Sequence, residues 1–438
     1  VDLLAVVGFV LFLLGLLVSI ALHEVGHLVP AKLFGVKVTQ YMVGFGRTVW
    51  STRRGETEYG VKAVPLGGYV RMVGMLPPEP GSDPSRVRDA STGPLQSMVE
   101  NARQDAWQEV SPGDEGRLFY ARPWWQKLTI MLGGVGMNLL LGVLLFAVVL
   151  VGFGTQVPTT TVASVSQCIV EVPTGEQAQV ACTADDPATP AAEAGFQPGD
   201  VIVAFDSQPV TTWDEVTALI RENGGRTVVI TVERDSSPQD LTTTLATAQR
   251  PSDPRDPCSA TVDVGFLGVS PTFEYTRLGP GGVASQVADV TGATVSAVLA
   301  VPSRMMGVWD AAFGGGERDI CSPVGVVGAG RIGGEIASQE QVPVSGRIAG
   351  FLALLASFNL AIAVFNLIPL LPLDGGHIAG AIWEAIKRTG ARLLGRPDPG
   401  PVDVAKALPL AYAAAALLVG MAVLLLYADI VNPVRLPG

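Results

Sequence analysis

The 438-residue chain is 48% hydrophobic and only 16% charged, with a mean hydropathy of +0.39. Soluble domains carry about 25% charged residues, so an ordinary water-soluble enzyme is excluded. The net charge of −11 argues against a nucleic-acid binder, which needs cations for phosphate contacts, and 51 Gly with 32 Pro follow no collagen-like triplet.

Four uncharged apolar stretches, Leu3–Leu22, Leu128–Phe153, Ile348–Leu373 and Ala407–Tyr427, are each long enough for a bilayer-spanning helix of about 20 residues. The first lacks a basic flank and a small-residue cleavage site, so it is predicted to be a span rather than a cleaved leader. The fold class that follows is a polytopic α-helical membrane protein with four transmembrane helices, a membrane-associated β-rich loop and one extracytoplasmic α+β domain. In chain order, residues 1–35 hold span one and 36–75 a β-rich loop, where β-forming runs alternate with Gly turns. Residues 76–125 form a Pro-, Asp- and Ser-rich cytoplasmic linker, 126–153 span two, and 154–272 the external domain. An amphipathic extracytoplasmic segment at 273–345 precedes span three at 346–376, a cytoplasmic loop at 377–405 and span four at 406–428.

Charge placement orients these spans. Residues 31–127 hold 13 Lys+Arg against 10 Asp+Glu, and 376–406 hold 5 against 3. Residues 154–347 hold 10 Arg, no Lys and 23 acids. Basic loops stay in the cytoplasm, so the plasma membrane would carry 154–347 and both termini on its outer side. All four cysteines, Cys168, Cys182, Cys258 and Cys321, fall in that outer segment, where disulfides persist. Cys168–Cys182 is the short-loop pairing, leaving Cys258 with Cys321; free thiols stay open, whereas a zinc cluster is disfavoured because no Cys-x-x-Cys occurs.

Within the external domain, Glu193 to Val210 is predicted as turn, strand and tight turn, Trp213 to Glu222 as helix and Arg226 to Arg234 as strand. This order resembles a PDZ domain of the bacterial protease type, with Gly199-Asp200 at its turn; a generic small α+β domain is the alternative. Gly328-Ala-Gly330-Arg-Ile-Gly333 matches the dinucleotide fingerprint as a pattern, but no βαβ unit surrounds it, so no nucleotide site is inferred.

The chain has three histidines. Two form His23-Glu24-Val25-Gly26-His27 at the inner end of span one. Positions i and i+4 share a helix face, so both imidazoles can hold one zinc ion with Glu24 beside them. Ionisable residues at membrane depth are costly and mark function. A catalytic zinc takes three protein ligands. Asp374 in Asn366-Leu-Ile-Pro369-Leu-Leu-Pro372-Leu-Asp374-Gly375-Gly376-His377 is the natural third, and His377 is its rival. Zn²⁺ with ionised Asp374 and Glu24 sums to zero charge, and the two prolines would break the helix just before the ligand.

His-Glu-x-x-His in a first span with Asn-x-x-Pro-x-x-x-x-Asp-Gly in a later one resembles the site-2 protease family of intramembrane zinc metalloproteases. Gly44-Phe45-Gly46, Pro65-Leu66-Gly67-Gly68-Tyr69 and the external PDZ-like domain are similar to the regulator-of-sigma-E type. Trp50 to Pro65 and Asp429-Ile-Val-Asn-Pro-Val-Arg-Leu resemble its actinobacterial Rip-type members. The resemblance implies His23, His27 and Asp374 as ligands of one zinc ion, Glu24 as the base that activates water, and Asn366 as a substrate-contacting amide. It implies that Gly44, Phe45 and Gly46 form a loop beside the site. It also implies single-pass membrane protein substrates such as anti-sigma factors, cut first by an upstream site-1 protease, with the lipid bilayer as surroundings. Two departures stand out: Ala361 replaces an upstream asparagine, with Asn359 nearby, and Gly134-Val-Gly-Met-Asn138 lacks the family's proline. The competing classes are a zinc or small-solute transporter, which would not need Glu24, and a catalytically silent PDZ-bearing scaffold, which would not need zinc.

Overall fold

A computed structural model describes residues 2–77, 110, 113–169, 182, 186–253, 259–316, 318–340 and 342–434. Most of the expected linker at 76–125 lies outside them, as does Cys258. The chain divides into two units, Val1–Ala147 with Ser285–Met305 and Val324–Val431, and Val148–Ala284 with Met306–Pro323 and Asn432–Gly438.

In chain order, α1 (Leu3–Leu33) leads to β1 (Val38–Arg54), β2 (Thr57–Met72) and α2 (Trp124–Ala147). A π-helical turn, Val148–Phe153, precedes β3 (Thr155–Val165), α3 (Pro190–Ala194), β4 (Val201–Phe205) and β5 (Gln208–Pro209). Then come α4 (Trp213–Glu222), β6 (Thr227–Arg234), β7 (Ser237–Thr244), β8 (Ala246–Pro251), β9 (Thr261–Phe266) and β10 (Val269–Thr276). The chain closes with α5 (Pro280–Phe313), α6 (Val326–Ser338), α7 (Val344–Asn366), α8 (Asp374–Leu393) and α9 (Leu408–Val431).

Among the described residues, five helices are long and apolar enough to cross a bilayer. Four coincide with the predicted spans, and the chain is a polytopic membrane protein. The fifth is α5, whose best window has a mean hydropathy of 1.3 against 2.3 to 3.0 for the others. Ser, Thr, Gln and Asp289 dilute its apolar residues, which is why the sequence suggested an amphipathic segment there.

In the first unit, β1 and β2 form a bent antiparallel pair. Gln40 is in register with both Glu58 and Arg71, and Val43 with both Val61 and Gly68, so the start of β1 lies between two stretches of β2. The register shifts around Phe45, where Gly44 and Gly46 take φ of +92° and +83°. Residues with a β-carbon rarely adopt that conformation, and one on Gly44 would also stand 2.7 Å from the Val64 carbonyl oxygen.

The glycines of the 328–333 pattern serve helix packing. A β-carbon on Gly330 would meet the Phe9 ring at 2.7 Å, and one on Gly8 of α1 would meet the Gly333 carbonyl oxygen at 2.6 Å. Small residues thus let α6 approach α1 backbone to backbone, as in other membrane helix pairs. Asp429 of α9 accepts a hydrogen bond from Gly328 N–H at the start of α6 (2.8 Å), where a carboxylate suits the helix dipole.

Span three differs from expectation. α7 stops at Asn366, residues 367–373 turn, and α8 starts afresh at Asp374 through part of the segment expected to be a loop. Pro369 and Pro372 cannot donate to a helix ladder. Gly375 and Gly376 let the turn fold onto the new helix: a β-carbon on Gly375 would lie 2.0 Å from the Ile368 carbonyl oxygen. The buried positions Gly375, Ile378, Ala381 and Glu384 recur every third residue, a stripe that a charged residue and two small ones hide from hydropathy.

The second unit is a small α+β body with strand order β10-β3-β4-β6-β7 and β5 beside β4. Its core is Val162, Ile202, Phe205, Val216, Ile220, Val228, Ile230 and Val232. The Asp206-Ser207 and Asp235-Ser236 turns take positive φ, as tight hairpins require. α4 begins in a capping box between Thr212 and Glu215. Cys168 and Cys182 form a disulfide, and Cys321 is also disulfide-bonded.

Candidate metal centre

His23 and His27 stand one turn apart on α1, both buried, with ring centroids 4.9 Å apart and their Nε2 atoms 3.2 Å apart. Asp374, the first residue of α8, places Oδ2 3.3 Å from His23 Nε2 and 3.2 Å from His27 Nε2. Three ligands held about 2.0–2.1 Å from one tetrahedral zinc ion stand about 3.3–3.4 Å from each other, so the triangle has the size of a zinc site. Its chemistry agrees. Two imidazole nitrogens face each other, and the buried Asp374 Oδ2 lacks an aligned hydrogen bond despite its closeness to both. A cation at the centre satisfies all three atoms. Among the described residues, these three form the one such group of His, Cys, Asp and Glu able to hold a metal ion.

The surrounding backbone shapes this triangle. His27 Nδ1 lies 2.8 Å from the Ile130 carbonyl of α2, which can only accept, so the ring proton sits on Nδ1 and Nε2 is free to ligate. Helix α2 comes this close because Gly133 faces Gly26: a β-carbon on Gly133 would stand 1.9 Å from the Gly26 carbonyl oxygen. The adjacent Gly133-Gly134 pair is the sequence signal for this contact, and the spacing rules for zinc motifs do not register it.

Glu24 is buried beside the histidines, with its side chain packed on β2; a β-carbon on Gly68 would lie 2.9 Å from Glu24 Cγ. The Tyr41 hydroxyl of β1 donates to the Ala21 carbonyl (2.8 Å) and ties the sheet to α1 near the site. Phe45, half exposed between Gly44 and Gly46, stacks on Tyr69, the neighbour of Gly68, at 6.3 Å. The bend at 44–46 is thus linked through Tyr69 to the strand that touches Glu24. Asn366 closes α7, partly buried, just before the turn that delivers Asp374.

His377 is outside the triangle. It lines a separate cavity of about 20 Å³ with Lys127, Tyr120 and Glu384. There, Lys127 Nζ donates to Glu384 Oε2 (2.7 Å) and Arg388 reaches Glu384 Oε1 (3.2 Å), joining the start of α2 to α8. This buried pair was not anticipated from the sequence, in which 257 residues separate its members.

The model of peptidase family M50 matches residues 11–393. The chain is 38% identical to the zinc metalloprotease Rip1 of Mycobacterium tuberculosis over 98% of its own length and 99% of that protein. It is 33% identical to Rip1 of Mycolicibacterium smegmatis, covering 98% of each chain. It is 25% identical to the zinc metalloprotease RasP of Oceanobacillus iheyensis, over 87% of this chain and 91% of that one. A zinc-sized triangle of His23, His27 and Asp374 within a chain similar throughout to zinc metalloproteases places the protein in peptidase family M50, as a zinc metallopeptidase of the site-2 type.

Proposed function

We propose that this protein hydrolyses peptide bonds within the membrane-spanning segments of single-pass membrane proteins, with His23, His27 and Asp374 holding one zinc ion and Glu24 as the base. The observation that carries the proposal is the convergence of the three donors on a buried face of α1 with Glu24 in the same turn. Zinc held there would polarise a peptide carbonyl and supply nucleophilic water at neutral pH.

Glu24 takes a proton from the attacking water and returns it to the leaving nitrogen. A helical substrate hides its carbonyls in its own turns, so cleavage requires local unwinding. The freed backbone groups would cost several kcal/mol each in lipid unless re-paired. The β1–β2 sheet, which meets Glu24 at Gly68, offers that pairing by strand addition. Asn366 and the bend at Gly44, Phe45 and Gly46 contact the extended segment.

The second unit acts as a PDZ-like domain outside the cell that admits substrates trimmed by an earlier cut, with anti-sigma factors as the substrate class. Disulfides at Cys168–Cys182 and at Cys321 support placing both sides of α5 in one oxidising compartment. On that basis α5 lies along the outer membrane face, and four helices cross.

The test is reconstitution with single-pass anti-sigma stubs, scoring fragments by mass. The wild-type protein should cut within the span and stop when zinc is chelated. Glu24→Gln should keep its zinc and lose cleavage; a Glu24→Gln protein that still cleaves overturns the assignment.

A further inference from the structure

The two histidines are supported unequally. His27 Nδ1 has the Ile130 carbonyl, whereas His23 Nδ1 is buried without a hydrogen-bond partner. Imidazoles that bind metals almost always donate their second N–H to an acceptor.

Three further buried atoms without partners lie in the same helix junction: Nδ2 and Oδ1 of Asn138 on α2, and Oδ1 of Asn359 on α7. Both asparagines are 0% exposed. Helix register sets them beside His23. Gly134 of α2 lies against the rings of His27 and His23, and Gly142 lies against Ala356 and Leu360 of α7. Asn138 is one turn from each glycine on the same face of α2. Asn359 donates to Ser19 Oγ (3.0 Å), and Ser19 is one turn before His23 on α1. Ser19, His23, Asn138 and Asn359 therefore form one polar layer where three apolar helices meet.

The orphaned groups are complementary: an N–H on His23, an acceptor and a donor on Asn138, and an acceptor on Asn359. Buried polar groups of this kind are satisfied in proteins by one another or by ordered water.

We propose that Asn138 is a positioning residue for the metal ligand His23. The Asn138 amide oxygen takes the hydrogen bond of His23 Nδ1–H, through buried water where the span requires it, and its NH2 group donates onward to Asn359 Oδ1. The relay continues through Asn359 Nδ2 to Ser19 Oγ and from there to the Gly15 carbonyl. It fixes the His23 tautomer with Nε2 free for the metal, as the Ile130 carbonyl does for His27. The inference rests on the zinc assignment above.

The experiment measures zinc retention by the purified full-length protein against a graded chelator, alongside thermal unfolding of the zinc-free form. Asn138→Leu fills the space without an acceptor and should lose zinc about 10- to 100-fold more readily. Its zinc-free form should unfold at or above the wild-type temperature, because a buried unmatched amide has been removed. Asn138→Ser, which keeps an acceptor and leaves room for water, should retain zinc within about threefold of wild type. If Asn138→Leu does not fold, Asn138→Ala serves in its place. Leu and Ala variants that hold zinc as tightly as wild type overturn the proposal. So does a Leu variant whose zinc-free form is destabilised while its zinc affinity is unchanged, which is the signature of a packing role. A wild-type protein that binds no zinc overturns the metal assignment itself.

Discussion

A β-carbon on Gly134 would stand 2.2 Å from Nε2 of His27, closer than any non-bonded pair of heavy atoms tolerates. The same carbon would lie 2.8 Å from Cε1 of His23. Helix α2 cannot back away freely, because the hydrogen bond between His27 and the Ile130 carbonyl holds it to α1 and Gly142 on α2 packs closely on Leu360 of α7. Gly134→Ala should therefore displace both rings and lower zinc affinity on the order of tenfold or more, read as metal content after dialysis against a chelator. Gly136→Ala is the control: its β-carbon would meet nothing within 4 Å, and zinc content should not change.

The Lys127–Glu384 pair is buried on both sides, with side chains 8% and 2% exposed. Glu384→Leu would strand the Lys127 charge between α2 and α8 and should cost about 3–5 kcal/mol in unfolding free energy. Lys127→Met should cost less, because Arg388 still faces Glu384 and itself reaches Asp398. The double variant should recover most of the Glu384→Leu loss, since an apolar pair carries no desolvation penalty. Denaturant titration in detergent measures all three; a double variant no more stable than Glu384→Leu refutes the coupling.

Asp200 accepts two hydrogen bonds from Arg234, at 2.7 and 2.8 Å, and one from the Gln197 amide at 2.8 Å. Burial opposes its ionisation, but the Arg234 guanidinium and the Gln197 amide outweigh it and hold the carboxyl below its ordinary range. A depressed carboxyl stabilises the fold above its unfolded value, about pH 3.9, and that stability is lost as pH falls through the lower, folded value. Hydrogen exchange across residues 195–234, corrected for intrinsic rates, should stay slow at pH 5 to 7 and quicken below about pH 4. Asp200→Asn should exchange faster at neutral pH and lose that acid step.

The Cys168–Cys182 disulfide closes a short loop, 14 residues apart in sequence. Loop-closure entropy assigns such a bond about 3 kcal/mol. Replacing both cysteines with Ala should destabilise the second unit by about that amount, measured by its thermal unfolding. Zinc retention should be unchanged, because all three donors lie in the first unit.

Much of the first unit was legible in the sequence. The apolar runs marked the long helices because each must satisfy a bilayer along its whole length, and the β-rich residues of 36–73 marked the sheet. Hydropathy overstates span three: it runs on through Leu373, whereas the ladder stops at Asn366. Helix α8 leaves little trace in hydropathy, because its buried stripe contains two small residues and the charge of Glu384. The glycines at 328–333 match a nucleotide pattern, yet their meaning depends on which helix lies opposite: α1 for Gly330 and Gly333, and α9 for Gly328.

The i, i+4 spacing of His23 and His27 determined by itself that both imidazoles share a helix face, because the α-helical period is local and independent of the rest of the chain. The identity of the third donor was a matter for the tertiary structure. Asp374 and His377 differ by three residues, and which of them reaches the histidines depends on where α8 begins after the proline turn. The same holds for Gly134, Ile130 and the Asn138 layer: each acts through a neighbour far away in sequence, and contact between packed helices has no signature in either chain segment alone.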